Sequence, residues 1–169
     1  MLASLGTQSQ GREPMTIFEY LKADHDAVKE MLQEILDTEH GRRRGELFRQ
    51  LKTDLSAHNR AEEKVFYKRL EKTEEGKDEA LEGEVEHEVA TRVLEELARS
   101  RNKEADRWTA RCKVLQELVE HHVEEEESKV FAAARKVFDK ATLEEIGEAF
   151  AAEKRKIGGV PAAEKEAMA

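Results

Sequence analysis

"HNRAEEKVFY", residues 58–67, and "HVEEEESKVF", residues 122–131, share one order of chemistry. Each sets out a His, a Glu four positions on, a second Glu directly after it, and then an apolar and aromatic end. On a helix, residues three, four and seven positions apart lie on one face. That face holds Leu51, Leu55 and Val65 with His58 and Glu62, and Leu115, Leu118 and Val119 with His122 and Glu126. The spacing predicts two helices that each turn a His and a Glu inward along with their apolar stripe.

Working outward, the chain has 169 residues, enough for one domain with a core of its own. Charged residues make up 40% and hydrophobic ones 38%, with only two prolines, which favours long helices over strands. The formal net charge of −9 argues against nucleic acid as the main partner. The basic triplet Arg42–Arg44 sits between two glycines and reads as a solvated loop. No apolar run reaches the roughly 18–20 residues of a membrane span, so no membrane association is expected. The stretch "MLASLGTQSQGREP" has neither a charged n-region nor an apolar h-region, so no secretory signal is expected. A single cysteine, Cys112, rules out an internal disulfide framework and fits a reducing, cytoplasmic setting.

Capping and breaker signals divide the chain. Thr16 and Glu19 form a capping-box pattern for a first helix to about residue 39, with Gly41 suited to its C-terminal turn. Further helices are expected at about 43–73, 77–102 and 106–138. Thr142 and Glu145 give a second capping-box pattern for a short fifth helix. The connections are short, so neighbouring long helices should run antiparallel. The expectation is an all-α, up-down-up-down four-helix bundle over residues 15–140. A flexible leader (1–14), a short C-terminal helix (141–157) and a disordered tail (158–169) complete it.

The chain also repeats itself. A shift of 64 puts His58 on His122, Glu62 on Glu126, Leu51 on Leu115 and Tyr67 on Phe131. A shift of 62 puts His25 on His87, Val28 on Ala90, Leu32 on Leu94 and Ile35 on Leu97. All four histidines therefore lie on inward stripes. Each is roughly 20 Å from the turn it shares with its helical neighbour, at ~1.5 Å per residue.

Antiparallel packing brings four imidazoles and two carboxylates to one level of the core. A buried carboxylate without a partner costs several kcal/mol. Direct His–Glu hydrogen bonds could satisfy the groups, but so large a polar cluster is a poor choice for stability alone. A metal pair answers the pattern better: two His for each ion, two bridging Glu, and positions left open for water or a small molecule. Mixed nitrogen and oxygen ligation without sulfur suits iron, manganese or zinc, and the bridging arrangement favours iron.

These residues resemble the hemerythrin-like HHE cation-binding family. The resemblance covers about residues 16–138 and rests on "LKADHDAVKEML" (His25), "HNRAEEKVFY" (His58, Glu62), "VEHEVATRVLEEL" (His87) and "LVEHHVEEEESKVF" (His122, Glu126). It implies a bundle holding two iron ions with oxo or hydroxo and carboxylate bridges. Such a centre meets dioxygen, nitric oxide or peroxide. The sequence departs from the oxygen carriers of that family. Their second His on the third helix is Thr91 here, and their His followed by Asp five places on is His122 with Glu126.

Glu84, three before His87, is the best candidate for a compensating ligand. The pair His121–Glu125 has the same spacing as His122–Glu126, and the latter is preferred because Phe131 then matches Tyr67. Glu63 and Glu127 point about 140° from their histidines and are expected to be exposed, or to stand behind the ligands at most. Tyr67 and Phe131 are expected to pack the end of the core. Three functions stay open: a gas, redox or iron sensor, a di-iron enzyme acting on peroxide, nitric oxide or Fe(II), and a zinc-binding or structural helical protein. A sensor would relay its signal through a protein partner or a homo-oligomer.

Overall fold

The computed structural model describes residues 13–166, so nearly all of the expected leader lies outside the described residues. Among the described residues six helices follow one another: α1 (Ile17–Asp37), α2 (Gly41–Glu62), α3 (Lys77–Arg99), α4 (Asp106–Glu125), α5 (Lys140–Lys156) and α6 (Ala162–Glu166). α2 continues through a π turn, Glu63–Tyr67, into a last α turn, Lys68–Leu70. α4 continues through a π turn, Glu126–Val130, into Phe131–Val137. No strand occurs among the described residues, and no helix there is long and apolar enough to cross a membrane.

Local signals set the boundaries. The Thr16–Glu19 capping box forms as expected, the Thr16 amide donating to Glu19 at 2.7 Å. The fifth helix is capped by Asp139 rather than Thr142; its carboxylate accepts the Thr142 amide at 2.8 Å. Gly41 opens α2 instead of closing α1, because Glu104 takes its amide at 2.8 Å. This draws the basic triplet into a helix, which corrects the loop reading. Arg44 is buried and ties Thr38, Lys103 and Thr109 together, with the latter two at 3.0 Å.

Cross-helix pairs give the directions. Arg43 reaches Glu34 and Asp24 reaches His58, so α1 and α2 run antiparallel. Arg111 reaches Glu96 and His122 reaches Glu86, so α3 and α4 do too. The apolar core is in two parts. One gathers Leu32, Ile35, Leu51, Leu94, Leu97, Trp108 and Leu115. The other gathers Ile17, Leu21, Phe66, Tyr67, Phe131 and Phe150. Buried Asp24, His25, His58, Glu62, His87 and Glu126 form a polar layer at the level between them.

The stretch 158–166, expected to be disordered, is folded. Gly158 turns the chain with a φ of 93°, which favours glycine. The following segment lays Ala162 and Ala163 against the body. The Ala162 amide then donates to Asp24 at 2.7 Å. A buried carboxylate that needs a donor holds this segment down.

Candidate metal centre

The four long helices each bring one His to the polar layer. α1 supplies His25, α2 His58, α3 His87 and α4 His122; Glu62 and Glu126 begin or adjoin the two π turns. All six residues expected from the sequence meet here. Two groups, His25 with His58 and Glu126, and Glu62 with His87 and His122, each offer three ligand atoms within 4.8 Å of one another. Glu62 Oε2 lies 3.4 Å from Nε2 of His58 and 3.5 Å from Nε2 of His87. Glu126 Oε2 lies 3.0 Å from Nε2 of His25 and 3.7 Å from Nε2 of His122.

The other ring nitrogen of every His faces a carboxylate on the helix before it. Asp24 on α1 meets Nδ1 of His58 at 3.0 Å. Glu63, after α2, meets Nδ1 of His87 at 2.8 Å. Glu86 on α3 meets Nδ1 of His122 at 2.7 Å. Glu127, after α4, closes the ring on Nδ1 of His25 at 3.0 Å. An ionised carboxylate only accepts, so each Nδ1 carries a proton, and an imidazole in its neutral form turns its Nε2 lone pair to the centre. Carboxylates in this position fix the ring and raise the basicity of a metal-binding histidine.

The centre is left short of protons. Nε2 of His87 and Nε2 of His122 face each other at 3.1 Å, two lone pairs with no hydrogen between them if both Nδ1 atoms are protonated. Among the described residues, five buried side-chain atoms find no partner outside this layer: Nε2 of His25 and of His58, both Glu62 oxygens and Oε2 of Glu126. All belong to this layer. Such atoms are costly unless something electropositive joins them.

The charges respond to that shortage. Burial pushes the Glu62 carboxyl well above its usual range, and the neighbouring Glu126 adds to this. Glu126 itself is held well below, because hydrogen bonding to Glu62 and His25 outweighs burial. His25, despite burial, is raised to about 9 by Glu126 and Glu127. Burial lowers His58 to about 4 and also lowers His87. Burial would raise Asp24, but His58, Lys154 and the Ala162 amide keep it below the carboxylate range.

The remaining expected residues fall elsewhere. Glu84 turns to Lys68 at 3.2 Å, which corrects its reading as an extra ligand. His121 is 64% exposed, and Glu125 pairs with Lys129, whereas Glu126 is buried. Helix rotation therefore favours His122–Glu126 over its neighbour. Thr91 is exposed. Cys112 is buried, and burial pushes its thiol up to about 12, so it behaves as a small core residue.

Sequence reasoning missed Asp24, Glu86 and Lys154. It also underrated Glu63 and Glu127, which stand directly behind His87 and His25. Tyr67 packs the core end as expected, and its hydroxyl also donates to Glu126 Oε1 at 3.0 Å, which was not foreseen. The signal available was the repeat itself, since Asp24 matches Glu86 and Glu63 matches Glu127 under the same two shifts.

Beside the four histidines is a cavity of about 20 Å³, walled by Val28, Leu55, Ala90, Leu118 and Val119. It has room for about one water-sized molecule.

A family profile described as "Hemerythrin HHE cation binding domain" matches residues 16–134. A protein of Nostoc sp. (strain PCC 7120 / SAG 25.82 / UTEX 2576), described as "DNA nickase", is 30% identical over 156 residues. That match covers 92% of this chain but only 44% of the relative, so the chain spans under half of that protein's length. No solved structure matches the chain.

Proposed function

We propose, for a chain that belongs to the hemerythrin HHE cation-binding domain family, that the polar layer holds two metal ions, iron in the favoured case, and that the centre binds or responds to a small molecule. The observation that carries this is the set of five buried atoms that meet no group outside one layer, behind which four carboxylates orient the imidazoles. His25, His58, Glu62, His87, His122 and Glu126 would be the ligands, six for two ions, which leaves positions free. We read the whole as the up-down-up-down bundle that the antiparallel pairs support.

Bound there, iron would supply redox and ligand-binding chemistry, with manganese and zinc able to take the same donors. The chain's own residues do the rest. The carboxylate ring holds each imidazole in the tautomer that offers Nε2. The apolar walls keep bulk water from the histidine side. The cavity of about 20 Å³ beside the histidines, with room for about one water-sized molecule, supports a small ligand over a large substrate. Consumption of peroxide or nitric oxide, or oxidation of Fe(II), is the enzymatic alternative on the same residues. A cytoplasmic setting and relay through a protein partner or a second copy remain part of this reading.

Strand nicking is the activity in the Nostoc relative's description. Here Glu62 and Glu126 are sealed in the core, beyond the reach of a duplex phosphate, and the net charge is −9. The small-molecule reading is therefore the one we adopt. The test is elemental analysis with an absorption spectrum of protein loaded anaerobically with Fe(II), then exposure to oxygen, nitric oxide and peroxide. About two irons per chain and a spectral change with the gas are expected. No stoichiometric metal would overturn the site. Metal-dependent nicking of supercoiled plasmid, with no response to gas or peroxide, would overturn the ligand class.

A further inference from the structure

Of the four carboxylates behind the histidines, three are open to water and one is sealed. The side chains of Glu63, Glu86 and Glu127 are 34%, 22% and 24% exposed, whereas that of Asp24 is 1% exposed. The segment after α5, which lies beyond the residues matched by the family profile, covers Asp24. Oδ2 of Asp24 faces Nδ1 of His58 at 3.0 Å and Nζ of Lys154 at 2.5 Å. Its Oδ1 accepts the Ala162 amide at 2.7 Å.

The segment is held along its length. Gly159, Pro161, Ala162 and Ala163 are buried. A Cβ on Gly159 would stand 2.6 Å from Cβ of Ala57 on α2, so glycine lets the chain pass that close. Lys165 pairs with Asp54 on α2 at 2.9 Å, and Glu164 with Arg155 on α5 at 2.5 Å. A carboxylate is planar, so an amide held on Oδ1 fixes its rotation and with it the aim of Oδ2 at His58. Water in place of the Ala162 amide would leave the carboxylate free to turn. The carboxylate behind a metal-binding histidine in turn sets how tightly that histidine holds its ion.

We infer that residues 158–166 are a positioning element of the metal centre: the Ala162 amide pins Asp24, Asp24 aims His58, and metal binding and docking of the segment strengthen each other. This rests on the reading of His58 as a metal ligand. The coupling is reciprocal, so one factor describes both directions. A docked segment raises metal affinity, and bound metal holds the segment down, each by about 10-fold. Metal occupancy is thereby reported at the surface, where Val160 and Lys165 of this segment are exposed.

The test joins amide hydrogen exchange, read by mass spectrometry, to chelator competition for Fe(II), both anaerobic and on the full chain. In the wild type, loading with Fe(II) should slow exchange over residues 159–166 by about 10-fold. Ala163→Glu forces a carboxylate into the buried seat and should release the segment, seen as fast exchange there with the bundle helices still protected. Its Fe(II) dissociation constant should rise by about 10-fold. Ile35→Val, in the half of the core without Ala163, is the control expected to keep wild-type affinity. If Ala163→Glu does not fold, Gly158→Val serves. Its Cβ would meet nothing within 4 Å, so it strains the turn alone and speeds exchange of the segment, and loading should slow that exchange by the wild-type factor. Equal exchange with and without bound Fe(II) overturns the inference and leaves the metal centre standing. So does a released segment with wild-type affinity, or an equal loss of affinity in Ile35→Val. A wild type that takes up no iron overturns both.

Discussion

Nζ of Lys154 lies 2.5 Å from Oδ2 of Asp24, the oxygen that also faces Nδ1 of His58. The two residues are 130 positions apart, and both are almost wholly buried. Through this contact α5, which lies beyond the residues matched by the family profile, is tied to the back of a candidate ligand.

Removing one partner of a buried ion pair strands the other's charge. Lys154→Met should therefore lower the unfolding free energy by about 3 kcal/mol. Urea denaturation of the metal-free protein measures it. A change below about 0.5 kcal/mol, the usual limit for surface substitutions, would mean that the Lys154–Asp24 pair contributes nothing.

The carboxylate ring makes a prediction about affinity rather than stability. Glu63→Gln and Glu127→Gln keep the shape and part of the hydrogen bonding but weaken the hold on His87 and His25. Each should reduce metal affinity by about 10- to 100-fold. Competition against a coloured chelator reads this directly, with exposed Glu124→Gln as the control expected to match wild type. Equal affinities in all four proteins would remove the ring from the site's design.

Glu62 works against the metal-free fold. It is fully buried, its carboxyl is pushed well above the usual range, and its oxygens meet no group outside the polar layer. Glu62→Met should make the metal-free protein more stable, by about 1–3 kcal/mol, while abolishing stoichiometric metal binding. Calorimetry with and without added Fe(II) checks both halves. A destabilised variant that still binds two ions would sink the assignment of Glu62.

The pH dependence of the metal-free protein has a definite sign on each side. His58 is depressed to about 4, so between there and about 6.5 the unfolded chain binds the extra proton and stability rises with pH. His25 is raised to about 9, so its contribution is complete below about 6.5 and is lost as pH climbs through 9. Each limb is worth on the order of 3 kcal/mol. These two histidines by themselves give a maximum near neutrality with a decline both ways, and Glu62, raised well above its usual range, opposes the His58 limb. His25→Gln should flatten the alkaline limb, and an unchanged limb in that variant would reject the assignment.

The helices, their inward stripes and the six residues of the central layer were legible in the chain. Helical periodicity is a local property: His58 and Glu62 share a face whatever the helix packs against. The choice of His122 over His121 also followed from the repeat, since only one of two adjacent residues can face in.

What the sequence could not supply was how each helix is rotated and slid against the next. Glu63 and Glu127 point about 140° from the histidines of their own helices, so helical geometry alone set them aside. They act on histidines of other helices, His87 and His25, and only the packing reveals that. Tyr67 packs the core end as expected, but the reach of its hydroxyl to Glu126 was hidden because a π turn breaks the 3.6-residue register. Lys154 and the Ala162 amide reach Asp24 from a segment read as a short helix and a disordered tail. Beyond Gly158 local propensity is weak, and the buried carboxylate of Asp24, visible only in three dimensions, holds that stretch down.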